Sequence, residues 1–230
     1  MNRIILHIIT IVALTAAVTS CSKREAEKSG SPLTSHIQSS PDYLAVSSEK
    51  ESLFRAAETL KPEEGAGLEA LARTQINIYN VYAEKIPALI QKEREVTLNL
   101  IDSWEKKGTQ NLTQEIGKVE ADTLQELLAT AIRANRAANE RFVNFQLLAT
   151  KLTQMEEQAK LLSEEGNVEK LRAFQKKFNS LGSLILEERD WLEAHPPLES
   201  EEAVIANFKQ EYQASEYLED AIYSYNLKYN

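Results

Sequence analysis

Cysteine occurs once in the 230 residues, at position 21. No intrachain disulfide can form, and no cluster of thiolates can hold a metal. Glycine and proline are also scarce, at 7 and 6 residues. Turn-rich β architecture uses both, so their shortage favours long uninterrupted helices. Histidine occurs only at His7, His36 and His195. The Glu-x-x-His pairs of a di-iron or di-manganese bundle are missing. Neither His36 nor His195 lies within a helical stripe where a haem ligand would project. Gly-rich phosphate loops, Gly-x-Ser-x-Gly elbows and Ser-x-x-Lys motifs are absent as well. What remains are the acidic pairs Glu63-Glu64, Glu156-Glu157, Glu164-Glu165, Glu187-Glu188 and Glu201-Glu202. Adjacent helical residues point about 100° apart, so these pairs read as solvated faces or helix-start partners, not as acid/base dyads. The expectation is a protein that is not an enzyme and carries no metal and no cofactor.

Positive charge is short too. Lys and Arg number 26 against 35 Asp and Glu, for a net charge of −9. Nucleic-acid partners need clustered basic residues to replace counterions, so this balance excludes them. It also argues against broad adhesion of the domain to anionic lipid. Hydrophobic residues make up 43% of the chain, which is enough to bury a core.

The first 21 residues read MNRIILHIITIVALTAAVTSC. Arg3 gives a positive start, and an apolar run from Ile4 to Val18 follows. That run is too short to span a membrane comfortably and fits the hydrophobic stretch of an export signal. It ends in Val18-Thr19-Ser20-Cys21. This end resembles the lipobox of bacterial lipoproteins: an aliphatic residue, two small residues, then cysteine. The resemblance covers the signal and the cysteine only. It implies cleavage before Cys21 and covalent lipid on its sulfur, hence residues 1–20 as signal peptide. It also implies a place in the bacterial cell envelope, lipid-anchored to a membrane. Ser22 at the next position resembles the pattern of lipoproteins sent to the periplasmic face of an outer membrane. Several acyl chains anchor durably, because each buried CH₂ contributes roughly 0.8 kcal/mol.

Residues 22–46 hold six serines, two prolines and one glycine with little apolar periodicity. Together with Cys21 they read as a flexible tether, residues 21–46, with a reach of roughly 25–30 Å.

From residue 47 to 230, helical spacing takes over. A short helix to about Leu60 carries Leu53, Phe54 and Ala57 on one face. A second runs from about Ala66 to Lys107, with a kink expected at Pro87. The third, about Leu112 to Glu165, carries a seam in steps of three and four: Ala121, Leu124, Leu128, Ala131, Asn135, Ala138, Phe142, Phe145, Ala149 and Leu152. Such a seam predicts coiled-coil packing. A fourth helix ends at His195-Pro196-Pro197, and Ser200 caps a fifth that runs to about residue 227. The fold expected is therefore all-α: an elongated antiparallel bundle of about five helices. Residues 66–82, 140–165, 168–194 and 200–227 would form a four-helix bundle. A bare two-helix coiled-coil hairpin, about 84–136, would project from it as a stalk. The alternative is a longer bundle with the first helix and the tether packed on that hairpin.

Five residues stand out as a candidate contact surface. Trp104 belongs to the stalk. Asn135 interrupts the apolar seam beside Ala131 and Ala138, either as a register pin or, with Asn139 and flanking arginines, as a binding crevice. Tyr217 and Tyr223 lie off the stripe of the last helix, where tyrosine suits either packing or an interface. The function expected is a non-enzymatic interaction or scaffold protein of the envelope. It would contact another envelope protein or itself. The alternative is a module that binds a lipid or small hydrophobe among Phe142, Phe145, Phe174, Phe178 and the tyrosines.

Overall fold

A computed structural model describes residues 31–61, 67–108, 111–164, 166 and 168–229. The signal segment, Cys21 and the first part of the tether lie outside the described residues. The chain divides into two compact units, residues 1–36 and 37–230. Helix α1 spans Pro32–Gln38 and begins at Ser31, whose Oγ accepts the Thr34 N–H at 3.2 Å. The second unit contains α2 (Pro41–Thr59), α3, α4 (Thr113–Glu164), α5 (Val168–Ala194), α6 (Glu201–Glu211) and α7 (Leu218–Tyr229). Helix α3 is continuous through Leu68–Asn80, a π-helical turn at Val81–Lys85, and Ile86–Glu105. No strand occurs among the described residues, and the protein is an all-α helical bundle.

Much of the expected tether is helical. Pro32 and Pro41 each open a helix. Proline suits the first turn, where its missing N–H has no intrahelical partner. The serines and prolines of residues 31–46 are thus helix-start signals as much as linker signals. Helix α2 packs on the Ile86–Glu105 part of α3, and Val46, Lys50 and Ala57 are buried.

Residues 84–136 consequently do not stand bare as a two-helix stalk. Helix α2 covers them on one side, and α6 and α7 pack on α4 from another. This corresponds to the longer-bundle alternative. Leu127, Leu128, Thr130, Ile132, Ala134 and Ala137 on α4 are buried, so this stretch is enclosed all round instead of along one seam. Full burial of Ile86, Ile101 and Leu128 contributes about 1.5–3 kcal/mol each. The buried hydroxyls of Thr123 and Thr130 donate back to the carbonyls of Val119 and Glu126 at 2.7 and 2.6 Å, leaving no orphaned polar group there.

The single fifth helix is in fact two. It breaks between Glu211 and Leu218, where the Ser215 Oγ accepts the Tyr217 N–H at 3.3 Å. Ser200 caps α6 by accepting the Ala203 N–H at 3.3 Å. Helix α7 turns back along α6, so that the Tyr225 hydroxyl donates to Glu201 at 2.8 Å. Both helices pack on α4, and neither returns along α5 in the expected four-helix arrangement. The reason lies in the loop after α5, which is fastened to α4 beside Asn135 and directs the chain away from α5.

The kink expected at Pro87 is a π turn. The Ile86 N–H bonds to the Val81 carbonyl, five residues back. The wider turn ends just before the proline, so Pro87 falls in the first turn of the following helical segment.

Candidate functional site

Two neighbouring features on α3, α4 and α5 concentrate the chemistry. The first is a buried ion pair. Arg141 of α4 and Glu188 of α5 each expose 2% of their side chains. Arg141 Nε donates to Glu188 Oε2 at 2.6 Å, and Nη2 donates to Oε1 at 3.2 Å. The third guanidinium nitrogen, Nη1, is buried without a partner. The pair corrects one expectation, since Glu188 is not on a solvated face. Its spacing from Trp191 and His195 puts all three on one side of the last turns of α5.

The indole of Trp191 lies over the guanidinium, with Arg141 Cζ 3.6 Å from the ring centre. His195 stacks on Trp191 at 4.6 Å and 23°. Tyr79 of α3 meets both rings edge-on, at 4.9 Å from Trp191 and 5.4 Å from His195. Such contacts contribute about 0.5–1.5 kcal/mol each beyond burial. His195 Nδ1 lies 3.0 Å from the Trp191 carbonyl. A carbonyl only accepts, so Nδ1 carries a proton, and in the neutral ring Nε2 keeps its lone pair.

The second feature is an open groove of about 510 Å³ that begins at Tyr79 and His195. Tyr82, Phe208 and Tyr212 supply further aromatic wall, and Ala131, Ala134 and Ala138 form a floor without bulk. Burial pushes the phenols of Tyr79, Tyr82 and Tyr212 above their ordinary pKa.

The expected contact residues fall in separate places. Asn135 and Asn139 come together on the Leu198 peptide. Asn135 Oδ1 accepts the Leu198 N–H at 2.8 Å, and both amides donate to its carbonyl at 3.1 Å. The neighbouring arginines point elsewhere. Arg133 lies over the rings of Phe54 and Tyr82, and Arg136 pairs with Glu201. Trp104 is half-buried near the end of α3, with the Lys107 ammonium 5.8 Å above its ring. Tyr217 is half-buried against Gly117, and Tyr223 is 66% exposed on α7. Cys21 lies outside the described residues.

Sequence reading missed the Arg141–Glu188 pair and the Tyr79–Trp191–His195 stack. The available signal was the spacing of Glu188, Trp191 and His195 along one helix face. The groove brings together only part of the expected hydrophobic site. Phe174 and Phe178 instead line a second depression of about 420 Å³ between α4 and α5.

Among the described residues, no group of three or more His, Cys, Asp and Glu side chains converges as a metal site would require. No described helix is long and apolar enough to cross a membrane. No family model, curated protein or solved structure matches the chain.

Proposed function

We propose that the protein is a lipid-anchored, non-catalytic interaction protein of the bacterial cell envelope. Cys21 ties it to a membrane, and the helical bundle contacts another envelope protein or a second copy of itself. The anchoring half of this reading rests on the Val18-Thr19-Ser20-Cys21 signal. The contact half is carried by one observation. Val143, Leu147, Leu161, Val168 and Leu186 on α4 and α5 are each more than half exposed. Val143 and Leu147 lie four residues apart on one face of α4, so the two contribute to one apolar patch. Exposed apolar patches of this kind mark contact surfaces. In this reading the exposed apolar face of α4 takes precedence over the surface at Trp104.

The test is photocrosslinking in cells from position 147, compared with position 92 on α3. The expected outcome is a discrete adduct from position 147 that vanishes in Val143→Glu. An adduct unchanged by that substitution would refute the surface. Cys21→Ser should abolish acyl labelling and membrane recovery, and persistent labelling would refute the anchor.

A second reading, a module for a lipid or small hydrophobe, is favoured by the groove at Tyr79 and Phe208. Its volume of about 510 Å³ lies within the roughly 300–1,000 Å³ of small-molecule sites.

A further inference from the structure

We propose that the groove between α3, α4 and α6 binds a small organic cation: an ammonium group carried on a flat apolar body. The inference rests on the second reading above and narrows its guest by charge.

Three properties of the lining lead to this class. The walls carry aromatic side chains, from Tyr79, Tyr82, Phe208 and Tyr212. Aromatic faces attract cations through the ring quadrupole and accept flat apolar bodies equally well. The alanine floor leaves room for such a body, where a leucine at Ala131 or Ala134 would fill it. The third property is the sign of the polar groups. Glu211 is the one charged side chain among the described lining residues, and no lysine or arginine joins it. Arg133 and Arg136, the nearest basic residues of α4, are held outside by Phe54, Tyr82 and Glu201.

Two neutral polar groups of the lining, His195 and Asn135, agree with that sign. His195 commits its Nδ1 proton to the Trp191 carbonyl, so in the neutral ring its remaining nitrogen accepts. The Asn135 amide is spent on Leu198. A fatty acid or phosphate-bearing lipid would meet a carboxylate and find no cation. An ammonium group would find Glu211 and π faces together.

The experiment uses the chain with Trp104→Phe, which leaves Trp191 as the single tryptophan of the original two. Trp191 touches both Tyr79 and His195, so its fluorescence reports on the groove. Three probes with one aromatic ring are titrated at pH 8: phenethylammonium, 2-phenylethanol and 3-phenylpropionate. Ligand-detected NMR provides a second readout.

The expected result is saturable binding of phenethylammonium, at least about tenfold tighter than 3-phenylpropionate. Glu211→Gln, an exposed substitution checked by circular dichroism for intact helix content, should shrink that difference several-fold. If 2-phenylethanol or 3-phenylpropionate binds as tightly as phenethylammonium, the cation assignment is overturned while the small-hydrophobe reading stands. A difference that survives Glu211→Gln unchanged overturns Glu211 as its source. Absence of saturable binding by all three probes overturns both readings of the groove.

Discussion

Asn135 holds the Leu198 peptide by both of its hydrogen-bonding groups, accepting its N–H at 2.8 Å and donating to its carbonyl at 3.1 Å. A side-chain amide here does what a neighbouring strand would do, and it fixes the point from which α6 departs. Asn135→Leu should cost about 1–3 kcal/mol, because the Leu198 N–H loses its acceptor. Asn135→Asp keeps the acceptor, and Asn139 still supplies a donor to the carbonyl, so it should cost less. Urea unfolding of both variants checks the order.

The Arg141–Glu188 pair predicts a strongly non-additive cycle. Removing one partner leaves a buried charge uncompensated, so Arg141→Met or Glu188→Leu alone should cost about 3–5 kcal/mol. The double substitution should cost far less than the sum, since apolar side chains of similar size suit a site already burying an unpartnered Nη1. Chemical denaturation of the four proteins measures the coupling. Near-additive losses would show that the two charges act independently.

Gly117 sits within α4, where alanine would ordinarily be preferred by about 1 kcal/mol. An added Cβ would meet Tyr217 Cε1 at 2.9 Å, closer than such contacts allow. Gly117→Ala should therefore destabilise the native protein, while in a Tyr217→Leu background it should stabilise by up to about 1 kcal/mol. Melting temperatures of the four combinations test the reversal of sign.

Alkaline pH should unfold the bundle. Burial, then the hydrogen bond to Glu201, raises the Tyr225 phenol above its ordinary value of 10.0. Burial alone would lower the Lys50 ammonium, but its bonds to Glu126 and Glu93 outweigh that and raise it above 10.5. Unfolded, both groups lose their protons near these ordinary values. Folded, they retain them to higher pH, so the native state binds more protons there and stability falls as pH rises. Thermal scans should show little change from these groups below about pH 9 and a decline above about pH 10. Tyr225→Phe should make the decline shallower. An unchanged slope would remove Tyr225 from the account.

The helices were legible because glycine and proline are few and the apolar steps of three and four are long. Leu124, Leu128 and Ala138 fall on the expected seam and are buried. What escaped was the second face of the same helix. Leu127, Thr130, Ala134 and Ala137 also face inward, and a helix apolar all round is enclosed by several neighbours. A seam counted on one face implies one partner, hence the expectation of a bare stalk. The break after Glu211 was illegible for another reason, since neither glycine nor proline marks it. The ion pair was hidden because a buried glutamate looks, in sequence, like any exposed one. Of the candidate site, Asn135 and the tyrosines of the last segment drew attention, whereas Tyr79, Trp191 and His195 needed the fold to meet.

The π turn at Val81–Lys85 has a consequence for how this chain tolerates change in length. A π turn holds one residue more than the α turn it replaces, and so offsets the angular phase of everything beyond it. Tyr82, Ile86, Leu89 and Ile90 reach the interior in that offset phase. Deleting one residue within the turn would restore regular winding and leave the downstream half of α3 in its present phase, whereas regular winding with every residue kept would swing that half by about 100° about its axis. A one-residue deletion elsewhere in α3 upstream of Arg94 lacks that relief, and would rotate Ile101 toward water and take Arg94 from Glu120. The turn is thus the one stretch of α3 where the loss of a residue spares the register of the core beyond it.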